Sequence, residues 1–165
     1  MKREEREERE ERAWAAAAAV LDPELPAVTI EELGILREVR AEPGGGRVTV
    51  TITPTYTGCP ALEAIRADVR AALAAAGYAD ADVVTVLRPP WGTDDITAAG
   101  RAKLAAAGIA PPGPRSGPVA VPLTVRCPRC GAPDTEQLSR FGPTACTALR
   151  RCRRCAEPFE HVKAY

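Results

Sequence analysis

The sequence has little aromatic content, a single histidine and no long apolar run. Aromatic residues make up 4% of its 165 residues, while 45% of the chain is hydrophobic and much of that is alanine. We therefore expect a modest core of Leu, Ile and Val. No segment approaches the roughly 18 apolar residues of a membrane span. The run from Ala13 to Leu21 follows a charged block and lacks the cleavage pattern of a secretory signal, so we expect a cytoplasmic protein that does not enter a membrane.

The scarcity of histidine and the missing nucleotide motifs argue against two classes of enzyme. A di-iron carboxylate oxygenase needs several glutamates and usually Glu-x-x-His motifs on bundle helices, and the only histidine, His161, lies in no such motif. Neither a Walker A loop nor a Gly-x-Gly-x-x-Gly fingerprint is present. The chain is therefore not expected to be an oxygenase or a nucleotide-driven enzyme itself.

The charges balance over the whole chain but not along it. Basic and acidic residues number 22 each, so no overall field attracts nucleic acid or a membrane surface. Residues 123–165 carry eight basic and four acidic residues, which makes this end locally basic. Its cluster of four arginines could meet an acidic partner or form a solvated rim. The cluster comprises Arg150, Arg151, Arg153 and Arg154.

Four of the six cysteines form two Cys-x-x-Cys pairs near the end of the chain. Cys127 and Cys130 form the first pair, and Cys152 and Cys155 form the second after a gap of 21 residues. Such pairs in a chain without an export signal indicate a metal site in a reducing compartment rather than disulfides. The spacing predicts a structural four-cysteine Zn²⁺ site. An iron–sulfur centre uses the same ligands and stays the alternative. Cys146 is either a packed thiol or an additional ligand. His161 is either a spare ligand or a solvated side chain.

The hydrophobic pattern predicts a small α/β (α+β) domain with element order α-β-β-α-β-α. The stretch "RVTVTIT" (47–53) alternates strictly and predicts a half-buried strand, paired in a hairpin with the apolar run before the turn at 43–46. Residues 60–77 have Leu62, Ile65, Val69 and Leu73 at helical spacing, with proline at the start and Gly77 just past the end. Residues 2–12, "KREEREEREER", predict a charged helical extension, serving as a solubilising end or a docking arm.

These features divide the chain into four parts. We expect the charged extension at 1–12, the α/β domain at 13–110, a Pro/Gly-rich linker at 111–122 and a zinc ribbon at 123–165.

Cys59 stands apart from the other cysteines, at the junction of the predicted strand and helix. With Pro60 at the first helical position, Cys59 is expected at or next to the N-cap. There the helix dipole and the unpaired N–H groups would favour the thiolate. Thr53, Thr55 and Thr57 add hydroxyls around the same turn. Cys59 is thus a reactive or metal-binding thiol, or else a small buried residue at a helix end.

The quoted stretches resemble a known family. "DPELPAVTIEELG" (22–34) followed by "TPTYTGCP" (53–60) is similar to the MIP18 or SufT-like family, which assists iron–sulfur cluster assembly. With "PPWGTDDITAAGRAKLAAAGIAPP" (89–112) and the cysteine-rich tail, the chain from about 13 to 163 resembles the D-subunit family of phenylacetyl-CoA ring 1,2-epoxidases.

The resemblance implies a non-catalytic accessory role in maturing or assembling a multicomponent epoxidase. It implies a transient iron or iron–sulfur cargo on Cys59, with Asp22 and Glu24 as the acidic pair and Thr55 in the threonine-rich loop. Implied partners are the oxygenase and reductase subunits or the iron–sulfur assembly machinery. Two rival functions stay open: a zinc-ribbon module that binds protein or nucleic acid, and a thiol redox protein that uses Cys59.

Overall fold

The structure is a computed structural model that describes residues 3–42, 44, 46–56, 58–113 and 124–164. The chain divides into two compact units, Met1–Trp91 and Gly92–Tyr165. Most of the expected linker at 111–122 lies outside the described residues, as does Thr57.

The mixed α/β class is confirmed, with three α-helices and two sheets in the described residues. In chain order the helices and strands are α1 (Arg3–Ala18), β1 (Leu36–Ala41), β2 (Val48–Ile52), α2 (Leu62–Ala75), β3 (Ala81–Thr85), α3 (Ala98–Ala106), β4 (Ile109–Ala110), β5 (Thr135–Ser139), β6 (Thr147–Cys152) and β7 (Pro158–Val162).

The first unit is a three-stranded sheet, ordered β1-β2-β3, with two packed helices. The predicted hairpin is present, since β1 pairs antiparallel with β2, and β2 then pairs parallel with β3 through the α2 crossover. Strict alternation decides which face of β2 is buried, because Val48, Val50 and Ile52 are all 0% exposed. The apolar stripe of α2 (Ile65, Val69 and Leu73) is buried as its spacing predicts.

Helix α1 is continuous from the charged extension into the alanine run. Its outer turns carry Arg–Glu pairs four residues apart, which support an exposed helix. Two of its charged side chains bind the hairpin: Arg9 donates to the Gly46 carbonyl at 2.7 Å, and Glu10 accepts the Ala41 N–H at 3.0 Å. The Tyr78 hydroxyl donates to the Arg9 carbonyl. These bonds fix the helix along the turn end of the sheet.

The direction of the chain brings the end of α1 and the start of α2 to the same end of this unit. Arg9 and Glu10, early in α1, contact the β1–β2 turn, so the last turn of α1 points toward the opposite end of the sheet. That end carries the carboxyl termini of the parallel strands β2 and β3, which is where ligand sites form in parallel sheets. The segments that hold Asp22 and Cys59 both start from it.

The second unit is a four-stranded sheet, ordered β4-β7-β6-β5, with α3 packed beside it. By compactness the chain divides at Trp91 and Gly92, so α3 falls in the second unit. The short strand β4, which follows α3, pairs parallel with β7 of the ribbon sheet. Within the α3 segment, Arg101 donates to the carbonyls of Thr93 and Pro112.

No helix among the described residues is both long and apolar enough to cross a membrane.

Candidate functional site

The four cysteines of the Cys-x-x-Cys pairs converge in the second unit. The sulfurs of Cys127 and Cys155 lie 3.7 Å apart, and those of Cys130 and Cys152 lie 3.6 Å apart. All four sulfurs fall within 4.8 Å of one another. A tetrahedral Zn²⁺ with bonds of about 2.3 Å requires sulfur–sulfur distances of about 3.8 Å. The residues therefore fit a closed four-thiolate zinc site, as the sequence predicted.

Two matching turns present the sulfurs. In the first, the Cys127 N–H donates to the Ala132 carbonyl at 3.0 Å, and in the second, the Cys152 N–H donates to the Glu157 carbonyl at 2.9 Å. Each turn needs a left-handed residue directly after its second cysteine. Gly131 fills that place with φ +71°, as expected, but the second turn uses Ala156 with φ +61°.

Two members of this four-cysteine cluster also belong to the hydrophobic core of the second unit. Cys127 and Cys152 are buried together with Ala110, Ala132 and Phe159. An ion held by these sulfurs would tie the two turns to the sheet, so that the metal and the core would stabilise each other. A closed site of this kind has no open coordination position, which makes its role structural.

Protonation in the group is uneven when no cation balances the thiolates. Hydrogen bonds from backbone N–H groups, that of Cys155 first, lower the pKa of Cys152 to about 7. The Glu157 N–H lowers the pKa of Cys155, but burial and the neighbouring sulfurs outweigh it and raise that pKa to about 12. The group therefore holds protons that a bound cation would displace.

The additional ligand candidates do not join this group. Cys146 is buried, its sulfur lies 3.1 Å from the Thr144 hydroxyl, and it is not among the four converging sulfurs of the described residues. His161 lies in β7, where burial and then the charge of Arg150 lower its pKa to about 4. It is a partly buried side chain that lies outside the four-sulfur group of the described residues.

Much of the expected basic surface is internally paired. Arg151 and Arg153 both bind Glu136 of β5, Arg151 through Nε at 2.9 Å and Arg153 through Nη2 at 3.1 Å. These bonds hold the pKa of Glu136 below its usual value. Arg150 donates to the hydroxyl and carbonyl of Thr135. This face therefore offers less free charge to a polyanion than the sequence suggests.

The first unit gathers Cys59, Asp22 and Glu24. Asp22 is buried at the end of the α1 segment, where its Oδ1 accepts the N–H groups of Glu24 at 2.9 Å and Leu25 at 2.7 Å. Cys59 is partly buried, and its sulfur accepts the Ala61 N–H. Both carboxylates act electrostatically on this sulfur. The charges of two carboxylates that stand 35 and 37 positions earlier in sequence thus reach Cys59, but the three groups do not form one of the close ligand clusters found among the described residues.

The protonation of Cys59 differs from the sequence expectation. Burial raises the pKa of its thiol, and the charges of Glu24 and Asp22 raise it further, while the Ala61 N–H and the Tyr56 side chain lower it. Helix α2 begins at Leu62, and its N-cap is Ala61, so Cys59 lies outside the first turn. The prediction of a thiolate favoured by the helix terminus is therefore wrong.

Burial also raises the pKa of Asp22, and the nearby Glu24 charge adds to the shift against the two backbone hydrogen bonds. The surroundings of Asp22 and Cys59 thus disfavour the ionised form of both groups.

Three further side chains lie in the segment that leads to Cys59. Tyr56 is a residue that the sequence argument missed, although it stands three positions before Cys59, within one turn of chain. Thr55 is partly buried in the same loop and is not among the groups that shift the Cys59 pKa. Thr53 is 1% exposed, and its hydroxyl has no hydrogen-bond partner among the described residues.

Comparison with known proteins assigns the two parts of the chain. Residues 10–87 match the model of the iron–sulfur cluster assembly protein family. Residues 111–163 match the PaaD zinc beta ribbon domain. The chain is also similar in fold to a crystal structure of the domain of unknown function DUF59 from Bacillus anthracis, with TM-score 0.58 and 30% identity. That similarity covers 62% of this chain and 97% of the other.

A full-length relative joins the two parts in one chain. An Escherichia coli (strain K12) protein, named as the putative D subunit of 1,2-phenylacetyl-CoA epoxidase, is 43% identical over 150 residues, which cover 91% of this chain and 90% of the relative. The shared order of an iron–sulfur assembly domain and a four-cysteine ribbon agrees with the geometry above. The chain therefore belongs to the PaaD family, the D subunits related to phenylacetyl-CoA epoxidase, in which a MIP18-type domain precedes a zinc ribbon.

Proposed function

We propose that the first unit carries iron, alone or in an iron–sulfur cluster, as a transient cargo bound by Cys59. Asp22 and Glu24 serve as oxygen ligands or as acceptors of the proton that the thiol releases. The protein delivers this cargo during assembly of a phenylacetyl-CoA epoxidase and takes no part in the oxygenation. Its partners are the other epoxidase subunits or the iron–sulfur assembly machinery.

The match of residues 10–87 to the iron–sulfur cluster assembly family carries the proposal, and the charges of Glu24 and Asp22, which both oppose ionisation of the Cys59 sulfur, support the choice of these residues. A cation that arrives among the three groups reverses this balance, since it attracts the thiolate and both carboxylates. The proton is then displaced by the metal, and it returns when the metal leaves. A site of this kind binds its cargo reversibly, as a carrier requires.

The ribbon has a different role in this proposal. Its four-thiolate site is closed, so its Zn²⁺ stays in place while the cargo is exchanged at Cys59. The ribbon serves as a rigid module for docking. We favour a protein partner over nucleic acid, because Glu136 pairs with both Arg151 and Arg153 and offsets part of their charge.

The test is the metal and acid-labile sulfide content of the chain, purified without oxygen after co-expression with the remaining epoxidase subunits. The parent is compared with Cys59→Ser and with Cys146→Ser, a control that removes a buried thiol outside the four-sulfur group. We expect one zinc in all three proteins and iron in the parent and Cys146→Ser alone. Absence of iron from the parent, or its retention in Cys59→Ser, would overturn the proposal.

A further inference from the structure

The β5–β6 hairpin of the ribbon presents an exposed aromatic side chain at its tip. Phe141 is 72% exposed, more than any other large hydrophobic residue described, and Leu138 nearby is 49% exposed. Leu138 lies at an irregularity in the β5–β6 register. Isolated exposed apolar residues are ordinary, so exposure alone does not mark a binding site, and the contacts that hold this pair in place must be considered.

The loop that carries Phe141 is built with specific contacts. The Phe141 N–H donates to the Ser139 hydroxyl at 3.1 Å, and the Gly142 N–H donates to the Thr147 carbonyl at 2.9 Å. Gly142 has no room for a side chain, because an added Cβ would lie 2.3 Å from the buried Thr147 hydroxyl oxygen. The Lys163 N–H in turn donates to the Cys146 carbonyl at 2.9 Å. The phenyl ring is therefore displayed on a fixed support.

Two cationic residues lie near the ring, Lys163 in space and Arg140 next to it in sequence. The Lys163 Nζ lies 4.9 Å from the centre of the Phe141 ring. Arg140 is exposed and has no acidic partner among the described residues. Asp134 and Glu136 bind Arg153, and Glu157 binds Arg129, so these carboxylates are committed away from the tip. This surface therefore combines an apolar anchor with two cationic side chains.

We propose that this tip, defined by Leu138, Arg140, Phe141 and Lys163, docks into an apolar pocket rimmed by carboxylates on another epoxidase subunit. Aromatic and arginine side chains supply most of the energy of many interfaces when a partner pocket removes them from water. The surrounding charges select a partner of opposite sign and accelerate the encounter. The identity of the partner rests on the proposed function, whereas the anchor and its charge do not.

A protein partner fits these residues better than a single-stranded nucleic acid does. Binding of single strands uses several aromatic platforms in succession along a basic groove. The tip has one aromatic ring, and its neighbour Leu138 has no π-face for a base. The expected contact is therefore one anchor in one pocket.

The test is the affinity of the full zinc-loaded chain for the purified remaining epoxidase subunits, measured by biolayer interferometry. We expect Phe141→Ala to weaken binding at least about tenfold, as loss of a central anchor does. Arg140→Glu should also weaken binding, and the loss of affinity should be larger at low salt than at high salt. The matched control is Leu87→Ala, which removes an apolar side chain that is 56% exposed in the first unit and should leave binding unchanged.

Further measurements separate this inference from the iron proposal. Cys59→Ser should dock as the parent does even if it carries no iron, and Phe141→Ala should keep its zinc, its iron and its unfolding temperature. Absence of binding by the parent, or equal binding by Phe141→Ala, would overturn the inference. So would Phe141-dependent binding of a single-stranded oligonucleotide in place of the subunits.

Discussion

Asp22 and Cys59 occupy equivalent places in two turns of similar sequence. The first turn is Asp22-Pro23-Glu24-Leu25 and the second is Cys59-Pro60-Ala61-Leu62. In each, the side chain before the proline accepts the N–H of the residue two positions later. Turns of this type orient a side chain while the proline fixes the backbone. The two acceptors act on each other electrostatically, since the charge of Asp22 raises the pKa of Cys59.

The first prediction concerns the ionisation of Cys59 in the metal-free protein. The rate of its alkylation by iodoacetamide should rise only above the pH range of an ordinary thiol, because burial and then Glu24 and Asp22 raise its pKa. Glu24→Gln should move the midpoint to lower pH. Mass spectrometry of the peptide that contains Cys59 gives the rate, with Glu38→Gln, an exposed pair partner of Arg40, as the control. A midpoint unchanged by Glu24→Gln would contradict the shared site.

The second prediction is that Asp22→Asn preserves or increases stability while it weakens iron binding. The amide oxygen of Asn can accept the same two N–H groups. Because burial raises the folded-state pKa of Asp22, the folded state binds the proton more tightly than the unfolded chain does. Its contribution to stability is present at low pH and is lost as the pH rises through the folded pKa.

Urea unfolding of the parent and Asp22→Asn at pH 4 and pH 7 measures this effect. The free energy of unfolding of the variant, relative to that of the parent, should be larger at pH 7 than at pH 4. A relative loss at pH 7 would mean that the carboxylate charge stabilises the fold.

The third prediction concerns the left-handed residue in the second cysteine turn. Ala156→Gly should stabilise the zinc-loaded protein by about 0.5–1 kcal/mol, because φ +61° strains an alanine and not a glycine. The control is Ala107→Gly at the end of α3, where φ is −79° and glycine has no advantage. In excess Zn²⁺, the unfolding temperature of Ala156→Gly should rise above that of the parent, and that of Ala107→Gly should not. Equal shifts in the two variants would show that the left-handed conformation of Ala156 costs no stability.

The fourth prediction concerns the support of the hairpin tip. Gly142→Ala should destabilise the second unit by about 1–3 kcal/mol, because its Cβ would overlap the Thr147 hydroxyl in a closely packed place. Thr147→Ala removes that oxygen, so the double variant should lose less than the sum of the two single variants. If the changes in the free energy of unfolding of the two single variants add up exactly in the double variant, the Cβ at position 142 does not contact the Thr147 hydroxyl.

Much of the fold could be predicted from the sequence because the relevant patterns are local. Alternation at Val48, Val50 and Ile52 identified a buried strand face, and the period of Leu62, Ile65, Val69 and Leu73 identified a helix that ends before Gly77. The two Cys-x-x-Cys pairs likewise carry their geometry within single turns, so the four-sulfur group followed from spacing alone.

Tertiary structure decided the features that depend on distant neighbours. The pairing of β4 with β7 joins the end of the α3 segment to the ribbon sheet, and the position of Glu136 beside Arg151 and Arg153 reduced an expected basic surface. The protonation of Cys59 likewise depends on residues that are distant in sequence. Its sequence placed it near a helix start, which favours a thiolate, but burial and the charges of Asp22 and Glu24 raise its pKa. Spacing along the chain thus fixes which groups a turn presents, whereas their protonation depends on what the fold brings around them.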